Sequence, residues 1–119
     1  MIRIALTALV TAFALTMPAA AGTTATRLTA TVGVNTSFAI SLKKGTTRVT
    51  RLKAGTYAIV VRDRGSVHNF RLRGPGVNKA TGVLFVGTRT WTVRLRPGRY
   101  TYLCDPHALS MRGTFRVTA

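Results

Sequence analysis

From Phe38 onward, apolar residues recur at every second position in short stretches that Gly and Pro cut off. No helical period in that region runs beyond about two turns. Such a chain builds strands, and the expectation is an all-β domain. Phe38, Ile40 and Leu42 alternate with Ala39, Ser41 and Lys43, which predicts a half-buried strand ending at Lys44-Gly45. A second strand is expected over Thr46 to Leu52, with Thr47, Val49 and Arg51 on one face. Tyr57 to Arg62 combines Tyr, Ile and two Val between turn residues and reads as a strand. Val67 to Arg73 follows, with Phe70 and Leu72 inward, and then the link Gly74-Pro75-Gly76-Val77-Asn78, which no central strand can contain. Val83 to Val86, Thr90 to Arg96 (Trp91, Val93 and Leu95 inward), the Tyr100-Tyr102-Cys104 face and Thr114 to Thr118 complete the set. About seven or eight strands is the number of a two-sheet Greek-key β-sandwich.

With 119 residues there is room for one domain. Arg3, the largely apolar run Ile4 to Met17 and the small residues Ala19-Ala20-Ala21 read as a signal peptide over residues 1–21, leaving a mature domain at 22–119. The apolar run is shorter than the ~20 residues of a spanning helix and contains Thr7, Thr11 and Thr16, so a transmembrane anchor is not expected. The protein is expected to be exported to a periplasmic, cell-envelope or extracellular location.

Export makes the lone Cys104 conspicuous, because small domains in oxidising compartments carry Cys in pairs. An odd Cys there implies an intermolecular bridge, a reactive thiol, or a thiolate held by a metal. Beyond the leader the chain has one Cys, one Met and two His, and Cys104, His107 and Met111 fall on one short loop between two strands. The other imidazole, His68, closes a strand beside Asn69. Two His, one Cys and a Met describe a blue-copper donor set, whereas zinc prefers further thiolate, imidazole or carboxylate ligands. Each residue also has a plainer reading: Cys104 as a small buried hydrophobe, His68 as a polar strand end, Met111 as core filler, Asn69 as a turn residue. Taken singly those readings suffice; together they leave the spacing unexplained.

The run Leu95-Arg96-Pro97-Gly98-Arg99-Tyr100-Thr101-Tyr102-Leu103-Cys104-Asp105-Pro106-His107, closing at Met111-Arg112-Gly113, resembles the C-terminal copper loop of plastocyanins, amicyanins and pseudoazurins, and His68-Asn69 resembles their upstream ligand segment. The resemblance to these cupredoxins spans the chain from about Leu52. It implies one type 1 copper ion, with Cys104 as the short thiolate ligand, His68 and His107 as equatorial nitrogens and Met111 as the long axial contact. Asn69 is then the residue that steadies the Cys104 sulfur and joins the two ligand loops. Three residues separate His107 from Met111, a spacing between the amicyanin and plastocyanin loops, and this length sets the axial distance. Tyr100, Tyr102 and Trp91 are assigned to packing.

Such a site suits one-electron transfer, and the chain is not expected to be an enzyme: two Asp and no Glu leave little material for acid and base catalysis. The two His exclude a multicopper oxygen-reducing cluster, and the single Cys excludes a dinuclear copper centre. A module that stores, delivers or senses copper uses the same ligands, and a metal-free adhesive sandwich remains the third reading. The formal net charge of +16, or +15 once Arg3 is removed, attracts anions. Export argues against nucleic acid, and the expected partners are an acidic redox protein or an anionic cell-envelope surface, met by a monomer.

Overall fold

The computed structural model describes residues 10–15 and 24–119. Most of the predicted leader, and the cleavage site before Gly22, lie outside the described residues. Ten strands form among the described residues: β1 (Thr26–Val32), β2 (Ile40–Lys44), β3 (Thr47–Arg48), β4 (Arg51–Lys53), β5 (Gly55–Asp63), β6 (Arg71–Gly74), β7 (Val77–Ala80), β8 (Gly87–Leu95), β9 (Gly98–Leu103) and β10 (Arg112–Thr118). They make two five-stranded sheets, ordered β3-β2-β1-β5-β8 and β4-β10-β9-β6-β7.

Side chains alternate across each strand, so one parity of each sheet is buried between the two layers. Leu28, Ala30 and Val32 of β1 lie beside Ile59 and Val61 of the parallel β5, and meet Leu72, Tyr100, Tyr102, Phe115 and Val117 from the other sheet in one core. Phe70 stacks on Tyr102 with ring centroids 5.8 Å apart, and Tyr100 stacks on Phe115 at 5.2 Å. The Tyr100 hydroxyl accepts from the Arg96 N–H at 2.9 Å and has the carbonyls of Pro75 and Arg96 as acceptors at 3.0 Å. It thereby pins the Pro97-Gly98 turn to the β6–β7 turn, as a corner tyrosine does in β-sandwiches.

The sandwich and most strand positions match the sequence expectation, with six corrections. Phe38 stands before β2, not in it, and is 62% exposed. Thr46 to Leu52 is not one strand: β3 belongs to one sheet and β4 to the other, and buried Val49 lies in the crossing between them. A segment changing sheets must break its alternation, which is why Val49 and Leu52 are buried while Thr47 and Arg51 are exposed. Val67 to Arg73 pairs only from Arg71. Val77 and Asn78 belong to the edge strand β7, so the expected long link is a tight hairpin turning at Pro75-Gly76. Val83 to Val86 forms no strand, and Leu84 there is 86% exposed. β1 carries the alternation Leu28, Ala30, Val32 but was not among the expected strands, because Thr and Ala dilute its apolar signal.

Candidate metal centre

Two loops at one end of the sandwich hold the donor residues. β9 carries Cys104 inward just beyond its last residue; the chain then makes a 3-10 turn over Asp105–His107 and re-enters β10 at Arg112. Pro106, second in this turn, favours it because its fixed φ is already helical and the first turn needs no N–H from it. The loop closes on itself: Cys104 N–H donates to the Met111 carbonyl at 3.0 Å, and the Met111 N–H donates to the His107 carbonyl at 2.8 Å. The second loop, between β5 and β6, carries His68, whose N–H donates to the Gly65 carbonyl at 3.1 Å.

Three sequence-predicted donors converge. His68 Nδ1 and His107 Nδ1 are 3.2 Å apart, and Cys104 Sγ lies 3.7 Å from the first and 3.6 Å from the second. A point equidistant from three such atoms is about 2.0 Å from each, close to the bond lengths at which imidazole nitrogen and thiolate hold a transition metal. Hydrogen bonding alone does not account for this triangle, since a neutral imidazole offers one donor nitrogen and the thiol is a weak donor. One small soft-to-borderline cation accounts for all three. Met111, the fourth predicted donor, is fully buried on the same loop.

Asn69 ties the two loops together. Its backbone N–H points at Cys104 Sγ at 3.5 Å, its Oδ1 accepts from the Asp105 N–H at 2.7 Å, and its Nδ2 donates to the Thr81 carbonyl at 3.0 Å and to Asp105 Oδ2 at 2.7 Å. Arg71 completes the brace with two bonds to the Asp105 carboxylate, at 2.7 and 2.9 Å. The Arg71 guanidinium, supported by the Asn69 amide, holds the Asp105 carboxyl below its ordinary value.

Sequence reasoning missed three supports. Phe38 stands edge-on to both imidazoles, its ring centroid 5.1 Å from His68 and 4.9 Å from His107. Gly33 and Gly65 both press against the His68 ring: a Cβ on either would lie 2.9 Å from His68 Cδ2, and Gly33 has φ of +73°, which also disfavours a side chain. Asp63, the last residue of β5, is fully buried, and its Oδ1 accepts from the Gly65 N–H at 3.1 Å. Burial pushes its carboxyl above the ordinary value. Only the recurrence of Gly around the strand ends hinted at any of these.

His68 is 2% exposed, whereas His107 is only half-buried, under a rim of exposed Pro106, Phe38 and Leu109. No protein-family model matches the sequence, and no curated protein matches it. Solved structures do match. A methionine-to-glutamine variant of rusticyanin is 20% identical, with a TM-score of 0.59 over 77% of this chain and 76% of that one. The copper protein rusticyanin in another structure is 18% identical, with a TM-score of 0.58 over 77% and 76%. Rusticyanin from Thiobacillus ferrooxidans is 20% identical, with a TM-score of 0.55 over the same shares of 77% and 76%. Likeness at this level is likeness of fold, and the donor set is this chain's own. The chain has the cupredoxin β-sandwich fold, and its donor residues fit one type 1 copper ion.

Proposed function

We propose that this protein is a small exported blue copper protein that passes single electrons between redox partners. The observation that carries the reading is the convergence of His68 Nδ1, Cys104 Sγ and His107 Nδ1 at 3.2 to 3.7 Å on a braced pair of loops. Bound copper would supply a Cu(I)/Cu(II) couple. Cys104, His68 and His107 would hold the ion in this reading, with Met111 of the same loop as the fourth donor. The role of the scaffold is to hold these donors still in both oxidation states, which the Asn69-Asp105-Arg71 brace and the closed Cys104–Met111 loop support. Half-buried His107 would be the exit for the electron, because it is the more exposed of the two imidazole residues and His68 is buried.

An enzymatic role has little support in the side chains. Asp105 is engaged by Arg71 and Asn69, Asp63 is sealed in the core, and the chain has no other carboxylate side chain. Among the described residues no helix is long and apolar enough to cross a membrane. Export rests on the charged start, apolar run and small-residue site of residues 1–21.

Titration of the apoprotein with Cu(II), followed by visible absorption, tests the reading. One equivalent should give an intense thiolate-to-copper band, and Cys104→Ala should abolish it while leaving the far-ultraviolet circular dichroism of the sandwich intact. A colourless native protein, or a coloured Cys104→Ala variant, would rule out this donor set.

A further inference from the structure

The outward face of the β4-β10-β9-β6-β7 sheet carries a row of like charges. Register sets Arg116 of β10 directly between Arg51 of β4 and Arg99 of β9, and all three are exposed. Adjacent strands are about 4.8 Å apart, so three guanidinium groups rise from the sheet with a like charge as nearest cross-strand neighbour, an unfavourable arrangement in itself. Arg112 and Arg73 extend the same face, and the one nearby acid, Asp105, is already held by Arg71. On the other sheet the one such like-charge pair is Lys43 opposite Arg48 at the β2–β3 hairpin, and the remaining outward arginines stand apart: Arg27 is opposite Ala58, Arg62 opposite Thr31 and Thr88, and Arg94 opposite Thr56.

We propose that the Arg51-Arg116-Arg99 row is a docking face for the phosphate surface of an anionic lipid bilayer, separate from the metal centre. A guanidinium binds a phosphate group through paired N–H donors, and a row of them matches a plane of laterally mobile phosphates. The remaining exposed outward positions of these strands are Arg, Lys, Thr and Asn. This face therefore lacks the aromatic and aliphatic anchors on which protein interfaces depend, and the stacking platforms that hold nucleic-acid bases. Arg99 lies five residues before Cys104 along β9, and Arg116 five residues after Met111 along β10. At ~3.4 Å per residue the row is about 17 Å along the strands from the donor loop, so adsorption through it leaves the His107 rim open.

The test is binding of the mature protein to phosphatidylglycerol/phosphatidylcholine vesicles and to pure phosphatidylcholine vesicles at low salt, which needs no bound copper. The triple change Arg51→Gln, Arg99→Gln, Arg116→Gln should lower affinity for the anionic vesicles about a hundredfold. Arg27→Gln, Arg62→Gln, Arg94→Gln removes the same charge from the other sheet and should cost less than about tenfold. Equal losses in the two triples would show that net charge alone binds the membrane and would overturn the assignment. Absence of wild-type binding to anionic vesicles would overturn it too, as would a row variant that loses binding to duplex DNA or an acidic protein but not to vesicles. If the row triple fails to fold, the single change Arg116→Gln, at the centre of the row, is compared with Arg62→Gln in the same assay.

Discussion

Asn69 reaches Cys104 and the residue after it at once: its backbone N–H faces Cys104 Sγ at 3.5 Å while its side-chain Oδ1 accepts from the Asp105 N–H at 2.7 Å. The two ligand loops are therefore one mechanical unit. Asn69→Ala would leave the Asp105 N–H and the Thr81 carbonyl without their partner, and each such loss costs about 1–3 kcal/mol. Chemical denaturation of the apoprotein should show a loss of about 3 kcal/mol. A loss below about 1 kcal/mol would mean that the brace is dispensable.

Phe38 predicts a different kind of effect. At 62% exposure its ring contributes little to the core, so Phe38→Ala should cost less than about 1 kcal/mol of stability. Its edge, however, covers both imidazoles. The copper-loaded variant should bind azide more tightly than the wild type and show a broadened visible band. Unchanged azide affinity would mean that Phe38 does not shield the centre.

How far these supports could be read from the sequence depends on which forces act locally. Cys104, His107 and Met111 announce themselves because their residue types are rare in the chain and lie on one loop, and Tyr100 follows from alternation after Pro97-Gly98. His68 entered as one of only two histidines, but Asn69 needed the resemblance to link it to that loop, since 35 residues separate it from Cys104. Phe38 looked like a core residue because it has the parity of Ile40 and Leu42. It sits outside the strand at the metal end, where contact with His68 and His107 across long sequence distances decides its place. The split of Thr46 to Leu52 between the sheets was illegible for the same reason: alternation records which face is buried, not which sheet a strand joins.

Tyr102 is fully buried, and its hydroxyl has no hydrogen-bond partner among the described residues. An unsatisfied buried hydroxyl carries its desolvation cost with no return. Tyr102→Phe keeps the ring stacked on Phe70 and should raise stability by about 1 kcal/mol, measured by the denaturation midpoint at constant m-value. A loss of the same size would show that the hydroxyl is satisfied in solution.

Met111→Leu conserves volume at a fully buried position, so the sandwich should lose less than about 1.5 kcal/mol. The equatorial donors are untouched, so the colour of the copper form should persist while its reduction potential shifts, because the axial ligand tunes it. A potential equal to that of the wild type would make Met111 a core residue only.

Electron exit at His107 carries the last prediction. The ring is half-buried beside Pro106 and Ala108, and Leu109 next to it is 96% exposed, forming a small apolar rim on a chain of net charge +15 after loss of Arg3 from the total of +16. An acidic redox partner would be drawn to such a molecule over long range and would dock on the rim, and that attraction fades as salt shortens the Debye length from ~10 Å at 0.1 M. Stopped-flow electron exchange with an acidic redox protein should slow steeply across a salt series, whereas exchange with a neutral small reagent should hardly change. Leu109→Asp places a charge in the contact and should slow exchange with the protein partner by about tenfold while leaving copper bound and the small-reagent rate intact. Equal salt dependence for the two reagents would remove electrostatic steering from the account. Copper passing to an acceptor apoprotein faster than any electron would replace the electron carrier with a copper donor.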